Sequence, residues 1–162
     1  MGKKTGTAAK KKISSHWAVW FGGLVVLLGA VVLMVTRQSV AADVVVYKSP
    51  TCGCCAEWIK HMEQAGFTVA VENRGDLSPI KAEYGVPRKL QSCHTAKVGG
   101  YLVEGHVPAD LVQRMLDEKP DIKGLAVAGM PMGSPGMEGP YKDQYDVIAM
   151  GKDGRTKVYA RR

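Results

Sequence analysis

Residues 44–59 read VVVYKSPTCGCCAEWI and join a predicted strand to a predicted helix. The β-branched run that begins at Val44 predicts a buried strand, because such side chains pack well on a pleated sheet. Pro50 ends the strand, since proline has no N–H to donate to a ladder. Apolar residues then recur at helical spacing over residues 56–64. Three of the four cysteines therefore lie where the strand meets the first turn of the helix.

The position of the cluster Cys52-Gly53-Cys54-Cys55 has a chemical consequence. Unpaired N–H groups and the helix dipole favour an anion at a helix start, and therefore a thiolate, which is both the nucleophile and the metal ligand. The Cys-x-x-Cys spacing of Cys52 and Cys55 places both sulfurs on one helix face, close enough for a disulfide or a shared metal ion. Adjacent side chains point apart on a helix, so Cys54 is expected to be a third ligand or a partner for Cys93.

Two interpretations of the four cysteines compete. An even number in an exported protein is compatible with two structural disulfides. The clustering argues against this interpretation, because loops closed by a few residues remove little chain entropy. Thiolates instead select soft ions such as Cu(I), and also Zn(II). Zinc usually takes four tetrahedral ligands, whereas Cu(I) accepts two or three and adjacent thiolates can bridge several Cu(I) ions. The pattern favours Cu(I), in one ion or several, over zinc.

Two histidines and three methionines are candidates for further ligands. His94 directly follows Cys93 and His106 lies in a Gly/Pro loop, so each offers an imidazole, although both also suit ordinary loop or strand positions. Thioether sulfur is a soft ligand for Cu(I), although methionines also fill gaps in a core. His61, on the first helix, is interpreted as a surface residue. The additional candidate ligands are His94, His106, Met130, Met132 and Met137.

The first 42 residues have the order of a targeting segment. A lysine-rich start precedes an uncharged apolar run over residues 17–35, and residues 36–42 include small residues suited to a signal-peptidase site. The run is long enough to cross about 30 Å of hydrocarbon as a helix. We therefore predict a cleaved signal peptide or a retained membrane anchor over residues 1–42. Both place residues 43–162 outside the cytoplasmic membrane, in a periplasm-like or extracellular space.

The net charge of +7 is concentrated in this targeting segment. Residues 1–42 carry six basic residues and no acidic residue, which leaves 16 basic against 15 acidic residues over 43–162, a net charge of +1. Nucleic-acid binding depends on neutralising phosphates, so a nearly neutral globular part argues against it.

The remaining pattern predicts one layered α/β domain over residues 43–162. A strand over 67–71 and a helix that starts at 78 follow the first helix, so the domain opens β-α-β-α. Gly99-Gly100 suggest a bulge within a single later strand. Asp153-Gly154, between two β-like runs, predicts a C-terminal β-hairpin. The predicted elements after residue 95 are a strand over 96–103, a helix over 108–119, and hairpin strands over 145–150 and 156–160.

Four motifs resemble those of an exported family and occur in the same order as in that family. The family has long been known only as a domain of unknown function, and its members include the copper-resistance protein CopG. The motifs are YKSPTCGCC (47–55), SCHTA (92–96), VEGHVPA (103–109) and GMPMGSPGME (129–138). The resemblance covers nearly all of residues 43–162. It implies a thioredoxin-like domain, a periplasmic location, and copper binding by the cysteine cluster in copper or silver tolerance.

The resemblance makes Cys52, Cys54, Cys55 and Cys93 the expected ligand or redox positions. His94, His106 and the loop methionines carry over only as residues in matching motifs. One departure from thioredoxin itself is expected. A helix stands between the third predicted strand and the terminal hairpin, where thioredoxin runs directly from strand to strand.

These inferences lead to two main functional hypotheses. The first is a periplasmic Cu(I)-binding protein that buffers copper or passes it to an efflux system or an oxidase. The alternative is a thiol-disulfide oxidoreductase in which Cys52 and Cys55 cycle between dithiol and disulfide. The two can coexist, because thiols that bind Cu(I) when reduced can form disulfides when oxidised. A copper-linked oxidoreductase, with a copper-dependent electron or thiol reaction, is a third hypothesis. A structural role is the fourth, in which the cysteines are staples and the Met/Gly/Pro loop and the hairpin dock on a membrane partner. A retained apolar run over 17–35 would attach the protein to the membrane.

Overall fold

The computed structural model describes Gly2 and residues 43–162. The predicted signal peptide or membrane anchor, with its apolar run over 17–35, lies outside these described residues. Within the described part of the chain, no helix is both long and apolar enough to cross a membrane. From Asp43 onward, the described residues belong to one compact unit.

A mixed seven-stranded sheet organises this unit, with the strand order β2-β1-β3-β4-β5-β6-β7. Helices follow β1, β2 and β4, and a single 3-10 turn precedes β3. The strands are β1 (Val44–Lys48), β2 (Val69–Asn73), β3 (His94–Val98), β4 (Tyr101–Glu104), β5 (Gly124–Ala126), β6 (Asp146–Met150) and β7 (Thr156–Arg161), and the helices are α1 (Gly53–Gln64), α2 (Ser78–Glu83), α3 (Ala109–Glu118) and the 3-10 turn Arg88–Leu90.

The strand order explains how two distant parts of the sequence meet. Parallel strands β1 and β2 are joined by α1, and β3 lies antiparallel on the other side of β1. The last residue of β1, Lys48, pairs with the first residue of β3, His94. The loop after β1 and the segment before β3 therefore lie at the same end of the sheet. This register brings the cysteine cluster beside Cys93.

The prediction of a single strand over residues 96–103 is wrong. The structure has two antiparallel strands there, β3 and β4, with Gly99 and Gly100 between them. Both glycines have positive φ, at 53° and 88°, so they form a tight turn rather than the expected bulge. The helix expected before the terminal hairpin is present, because α3 lies between β4 and the hairpin strands β6 and β7, with β5 following it.

Apolar clusters lie on both faces of the sheet. Leu102 and Val103 are adjacent in β4 but belong to different clusters, because successive strand side chains point to opposite faces. The larger cluster contains the apolar sides of α1 and α3, and the smaller one contains residues around the 3-10 turn. The larger cluster includes the fully buried Trp58, Met62, Leu111, Met115 and Leu125, and the smaller cluster consists of the buried Val86, Leu90, Leu102, Ala126 and Met150.

The C-terminal part extends the sheet beyond β4. β5 pairs parallel with β4, and the predicted C-terminal hairpin is confirmed by the antiparallel pair β6 and β7. The predicted helix over 108–119 is confirmed by α3. Residues 127–145 connect β5 to β6 without a described helix or strand, and they contain the Met/Gly/Pro segment 130–140.

Candidate metal centre

The first turn of α1 carries the cysteine cluster. Helix α1 begins at Gly53, three residues before the predicted start, so Cys54 and Cys55 both lie in its first turn. The sulfur of Cys52 caps the helix by accepting the backbone N–H of Cys55 at 3.3 Å. Cys52 and Cys55 form a disulfide, with their Cα atoms 5.4 Å apart. Cys54 and Cys93 are free thiols, and both are half-buried.

The four cysteine sulfurs lie close together. The Sγ atom of Cys54 is 3.5 Å from that of Cys52 and 4.0 Å from that of Cys93. One sulfur atom from each of the four cysteines lies within 4.8 Å of the others. Two separate elements, α1 and the segment before β3, therefore supply one sulfur cluster. We call Cys52, Cys54, Cys55 and Cys93 the sulfur cluster.

Two histidines adjoin the sulfur cluster at Cys93. The Sγ atom of Cys93 is 3.0 Å from Nε2 of His106 and 3.4 Å from Nδ1 of His94. These three residues form a second group whose ligand atoms lie within 4.8 Å of one another. The ring of His94 packs 4.4 Å from the Trp58 ring, measured between centroids, and 5.1 Å from the His106 ring. Cys93 thus lies between the other cysteine sulfurs and the two imidazoles.

Burial favours the neutral form of both imidazoles. Desolvation, followed by the charges of His106 and Lys81, holds the pKa of His94 well below its ordinary value. Desolvation also lowers the pKa of His106, against an opposing hydrogen bond with Pro135. Neutral imidazole is the form that binds a metal. Desolvation and the nearby Cys54 raise the pKa of Cys93 to about 12, so this thiol keeps its proton when no metal is bound.

One buried polar atom of His94, its Nε2, makes no hydrogen bond among the described residues. A buried polar atom without a partner is unusual, because its desolvation is not compensated. The sulfur cluster and the two imidazoles are soft or borderline donors. The donor set therefore fits a soft metal ion better than a hard one.

A buried ion pair, which the sequence did not indicate, supports the segment that carries Cys93. Lys81 and Glu104 form an ion pair, with exposed side-chain fractions of 7% and 0%. Thr95 donates its hydroxyl to Glu104 at 2.6 Å, and Glu104 also accepts the backbone N–H of Ser92 at 2.7 Å. The Glu104 carboxylate thereby holds the residue directly before Cys93. A glutamate directly after the apolar residues of β4 is the available signal in the sequence, but no local pattern pairs it with Lys81.

The Met/Gly/Pro segment lies over the site. The carbonyl oxygen of Pro135 is 2.7 Å from Nδ1 of His106. At Gly136 an added Cβ would lie 2.6 Å from the carbonyl oxygen of Cys54, so this backbone packs directly on the first turn of α1. Of the three predicted methionine ligands, Met130 is 53% exposed, whereas Met132 and Met137 are half-buried. Their role as ligands stays a prediction.

His61 does not join the sulfur cluster. Its Nε2 atom accepts the backbone N–H of Ala109 at 3.0 Å, at the start of α3. Trp58, one turn earlier on α1, donates its indole N–H to the carbonyl oxygen of Val107 at 2.9 Å. Helix α1 therefore anchors the segment between β4 and α3, and this anchoring places His106 beside Cys93.

The chain has relatives in both sequence and structure. Residues 90–137, which include Cys93, His94 and His106, match the family described as Protein of unknown function, DUF411. Two solved structures, named Copper resistance protein copG Form 2 and Form 1, are each 43% identical to this chain with a TM-score of 0.70. Each covers 74% of this chain, which spans 96% of the Form 2 protein and 95% of the Form 1 protein. The chain belongs to the DUF411 family.

The DUF411 relationship extends beyond the segment that matches the family profile. The profile begins at residue 90, so it does not include the Cys-x-Cys-Cys motif. The two structural relatives cover a much larger share of the chain, at an identity that indicates common descent rather than a shared fold alone. The family and its CopG members, expected from four sequence motifs, are thus shown. The chain matches no curated protein sequence.

Proposed function

We propose that this DUF411 protein is a periplasmic copper-binding protein that holds Cu(I) in copper or silver resistance or homeostasis. The observation that carries the proposal is the convergence of four cysteine sulfurs from two elements within 4.8 Å. The 43% identity to proteins named for copper resistance supports copper as the metal.

Binding through all four sulfurs requires the reduced protein. The Cys52–Cys55 disulfide accepts two electrons and two protons from a thiol reductant, and two thiols result. Metal binding then displaces the thiol protons, because thiolate is the ligand. The proximity of Cys54 to both Cys52 and Cys93 suits thiolates that bridge two or more Cu(I) ions.

Two further groups extend the proposed ligand set. His106 and His94 face Cys93 with ring nitrogens at 3.0 and 3.4 Å, and both carry lowered pKa values. Zinc is the less favoured metal. A structural zinc ion takes four ligands, whereas the sulfur cluster and the two adjoining imidazoles together offer six. The exposed Met130 is a candidate thioether at the surface.

The fold and location are part of the same proposal. The order β2-β1-β3-β4, with helices after β1, β2 and β4, supports a thioredoxin-like core over residues 44–118. A Cys-x-x-Cys motif beside a β-α-β unit is typical of that fold. The predicted targeting segment over residues 1–42 supports export, either free in the periplasm or anchored to the inner membrane. A copper efflux protein or an oxidase is the proposed recipient.

A Cu(I) titration tests the proposal. The full chain, fully reduced and anaerobic, is titrated against a chromogenic Cu(I) chelator while free thiols are counted. We expect the protein to withdraw Cu(I) from the chelator and all four thiols to become protected. Cys93→Ser should lower the number of bound ions, whereas the matched Ser92→Ala leaves the sulfur cluster complete. No competition by the wild-type protein would overturn the proposal.

A second candidate function is favoured by the Cys52–Cys55 disulfide itself. A Cys-x-x-Cys disulfide at a helix start suits thiol–disulfide exchange with partner proteins. Reduction of insulin disulfides, followed by turbidity, measures this activity, with Cys52→Ser as the inactive control. A wild-type rate equal to that of Cys52→Ser would exclude this candidate.

A further inference from the structure

A second thiol pair lies beside the Cys52–Cys55 disulfide. Cys54 Sγ is 3.5 Å from Cys52 Sγ on one side and 4.0 Å from Cys93 Sγ on the other. We propose that Cys54 and Cys93 form a second redox pair, to which the Cys52–Cys55 disulfide is transferred by two intramolecular thiol–disulfide exchanges. The transfer takes place in the metal-free protein, so it goes beyond copper binding and does not depend on it.

The first exchange uses the contact between Cys54 and Cys52. The Cys54 thiolate attacks Cys52 Sγ, the Cys52–Cys54 bond forms, and the Cys52–Cys55 bond breaks. Cys55 leaves as a thiolate and takes up the proton that Cys54 released. No external oxidant is needed, because one disulfide and two thiols are present before and after the step.

The second exchange uses the contact between Cys54 and Cys93. Cys93 attacks Cys54 Sγ, the Cys54–Cys93 bond forms, and the Cys52–Cys54 bond breaks. Cys52 leaves as a thiolate and takes up the proton that Cys93 gives up. The product holds the disulfide between Cys54 and Cys93 and thiols at Cys52 and Cys55, with no net change in electrons.

The positions of the two residues allow this product. Cys93 lies in the irregular segment before β3, so its side chain is not fixed by a strand ladder on both sides. The two sulfurs must approach from 4.0 Å to a bond length of about 2.05 Å, so both side chains must move toward each other. The new disulfide spans a sequence separation of 39 residues instead of 3, so it ties α1 to the strand β3.

The transfer changes which thiols the protein presents. With the disulfide at Cys54 and Cys93, the half-buried Cys52 regains a thiol. A small disulfide such as oxidised glutathione can then oxidise Cys52 and Cys55 again, forming two glutathione molecules and a second protein disulfide. The four cysteines that are proposed to hold copper would thus lose four electrons in total and form two disulfides. No thiolate would then remain to bind a metal.

Peptide mapping of the single-disulfide protein tests the transfer. The full chain has four cysteines. The reduced, metal-free protein is oxidised with one equivalent of oxidised glutathione in the presence of a metal chelator. The remaining thiols are then alkylated, and the protein is digested with trypsin. Cys52, Cys54 and Cys55 fall in the peptide 49–60, whereas Cys93 falls in the peptide 90–97. A Cys54–Cys93 disulfide therefore links two peptides, while a Cys52–Cys55 disulfide stays within one.

We expect the linked peptides in the wild-type protein. We also expect them in Cys55→Ser, which has no Cys52–Cys55 disulfide to transfer and therefore tests only whether Cys54 and Cys93 can pair. We expect none in Cys54→Ser or in Cys93→Ser, whose remaining disulfide stays within peptide 49–60. Absence of the link from the wild-type protein would overturn the proposal even if a variant failed to fold. Persistence of the link in Cys54→Ser would also overturn it, because Cys93 would then pair with another cysteine.

Discussion

The Nε2 atom of His106 lies 3.0 Å from Sγ of Cys93, while Nδ1 of the same ring lies 2.7 Å from the carbonyl oxygen of Pro135. A carbonyl oxygen only accepts hydrogen bonds, so Nδ1 carries the ring proton and Nε2 retains its lone pair beside the sulfur. The Met/Gly/Pro segment thereby sets the tautomer in which His106 can act as a ligand. This is the role that outer-shell carbonyls play at metal sites.

His106→Ala is expected to weaken Cu(I) binding by about 10–100-fold, the usual effect of removing a group that orients or completes a metal site. Competition with a chromogenic chelator measures the affinity. His61→Ala is the matched control, because this imidazole binds the N–H of Ala109 and not the sulfur cluster. Equal affinities in the two variants would contradict a role for His106.

Glu104→Gln and Lys81→Met are each expected to destabilise the protein by about 3–5 kcal/mol, because each leaves one buried charge unpaired. The double variant should lose less stability than the sum of the losses in the two single variants, because it leaves no buried charge behind. Urea unfolding of the reduced, metal-free protein measures these free energies.

The exposed ion pair Lys152–Asp121 provides the control for that series. Lys152→Met should leave the free energy of unfolding unchanged, because exposed pairs contribute little. Strictly additive losses at Lys81 and Glu104 would show that the two charges do not support each other.

Gly136→Ala is expected to destabilise the protein more than Gly154→Ala does. The two glycines have similar φ, 84° and 80°, so both variants incur the same left-handed cost of about 1–2 kcal/mol. Only at Gly136 does the new Cβ collide with backbone, 2.6 Å from the oxygen of Cys54 and 2.7 Å from the nitrogen of Trp58.

That collision should add about 1–3 kcal/mol, the usual cost of overpacking. It should also displace the segment from the site and speed the release of Cu(I) to a chelator. Thermal unfolding and release kinetics of the two variants check both effects. Equal melting temperatures would mean that the segment does not rest on α1.

Acid is expected to destabilise the protein through His61. Burial lowers the pKa of His61, against opposing charges on Glu138 and Asp110. In the unfolded chain the pKa of this group is about 6.5. Between that pH and the lower pKa of the folded state, the unfolded state therefore binds more protons than the folded state. The free energy of unfolding should therefore fall as the pH drops through about 6.5, and level off below the lowered folded pKa.

His61→Gln isolates this contribution, because the amide oxygen can still accept the N–H of Ala109 but does not titrate. The difference between wild type and variant should change between neutral pH and pH 5. His94 and His106 also have lowered pKa values, but they are common to both proteins and cancel in the difference. A difference independent of pH would show that His61 does not contribute.

Local patterns predicted most of the elements. The β-branched run at Val44, the helical spacing after Cys55 and the Asp153-Gly154 turn each act over a few residues, so sequence was sufficient for β1, α1 and the hairpin of β6 and β7. The predicted bulge at Gly99-Gly100 is wrong, because a bulge and a tight turn use the same residue types. Strand pairing decides between them, and pairing is not local.

The sequence by itself determined the chemical inventory and the family: a Cys-x-Cys-Cys motif at a helix start, a distant Cys93 and four ordered motifs. Only the tertiary structure decided which groups meet. The antiparallel pairing of β1 with β3 brings Cys93 to the cluster, and the buried ion pair of Lys81 with Glu104 supports it. The physical reason is that these contacts join residues far apart in the chain. Periodicity and local propensity carry no information about such pairs.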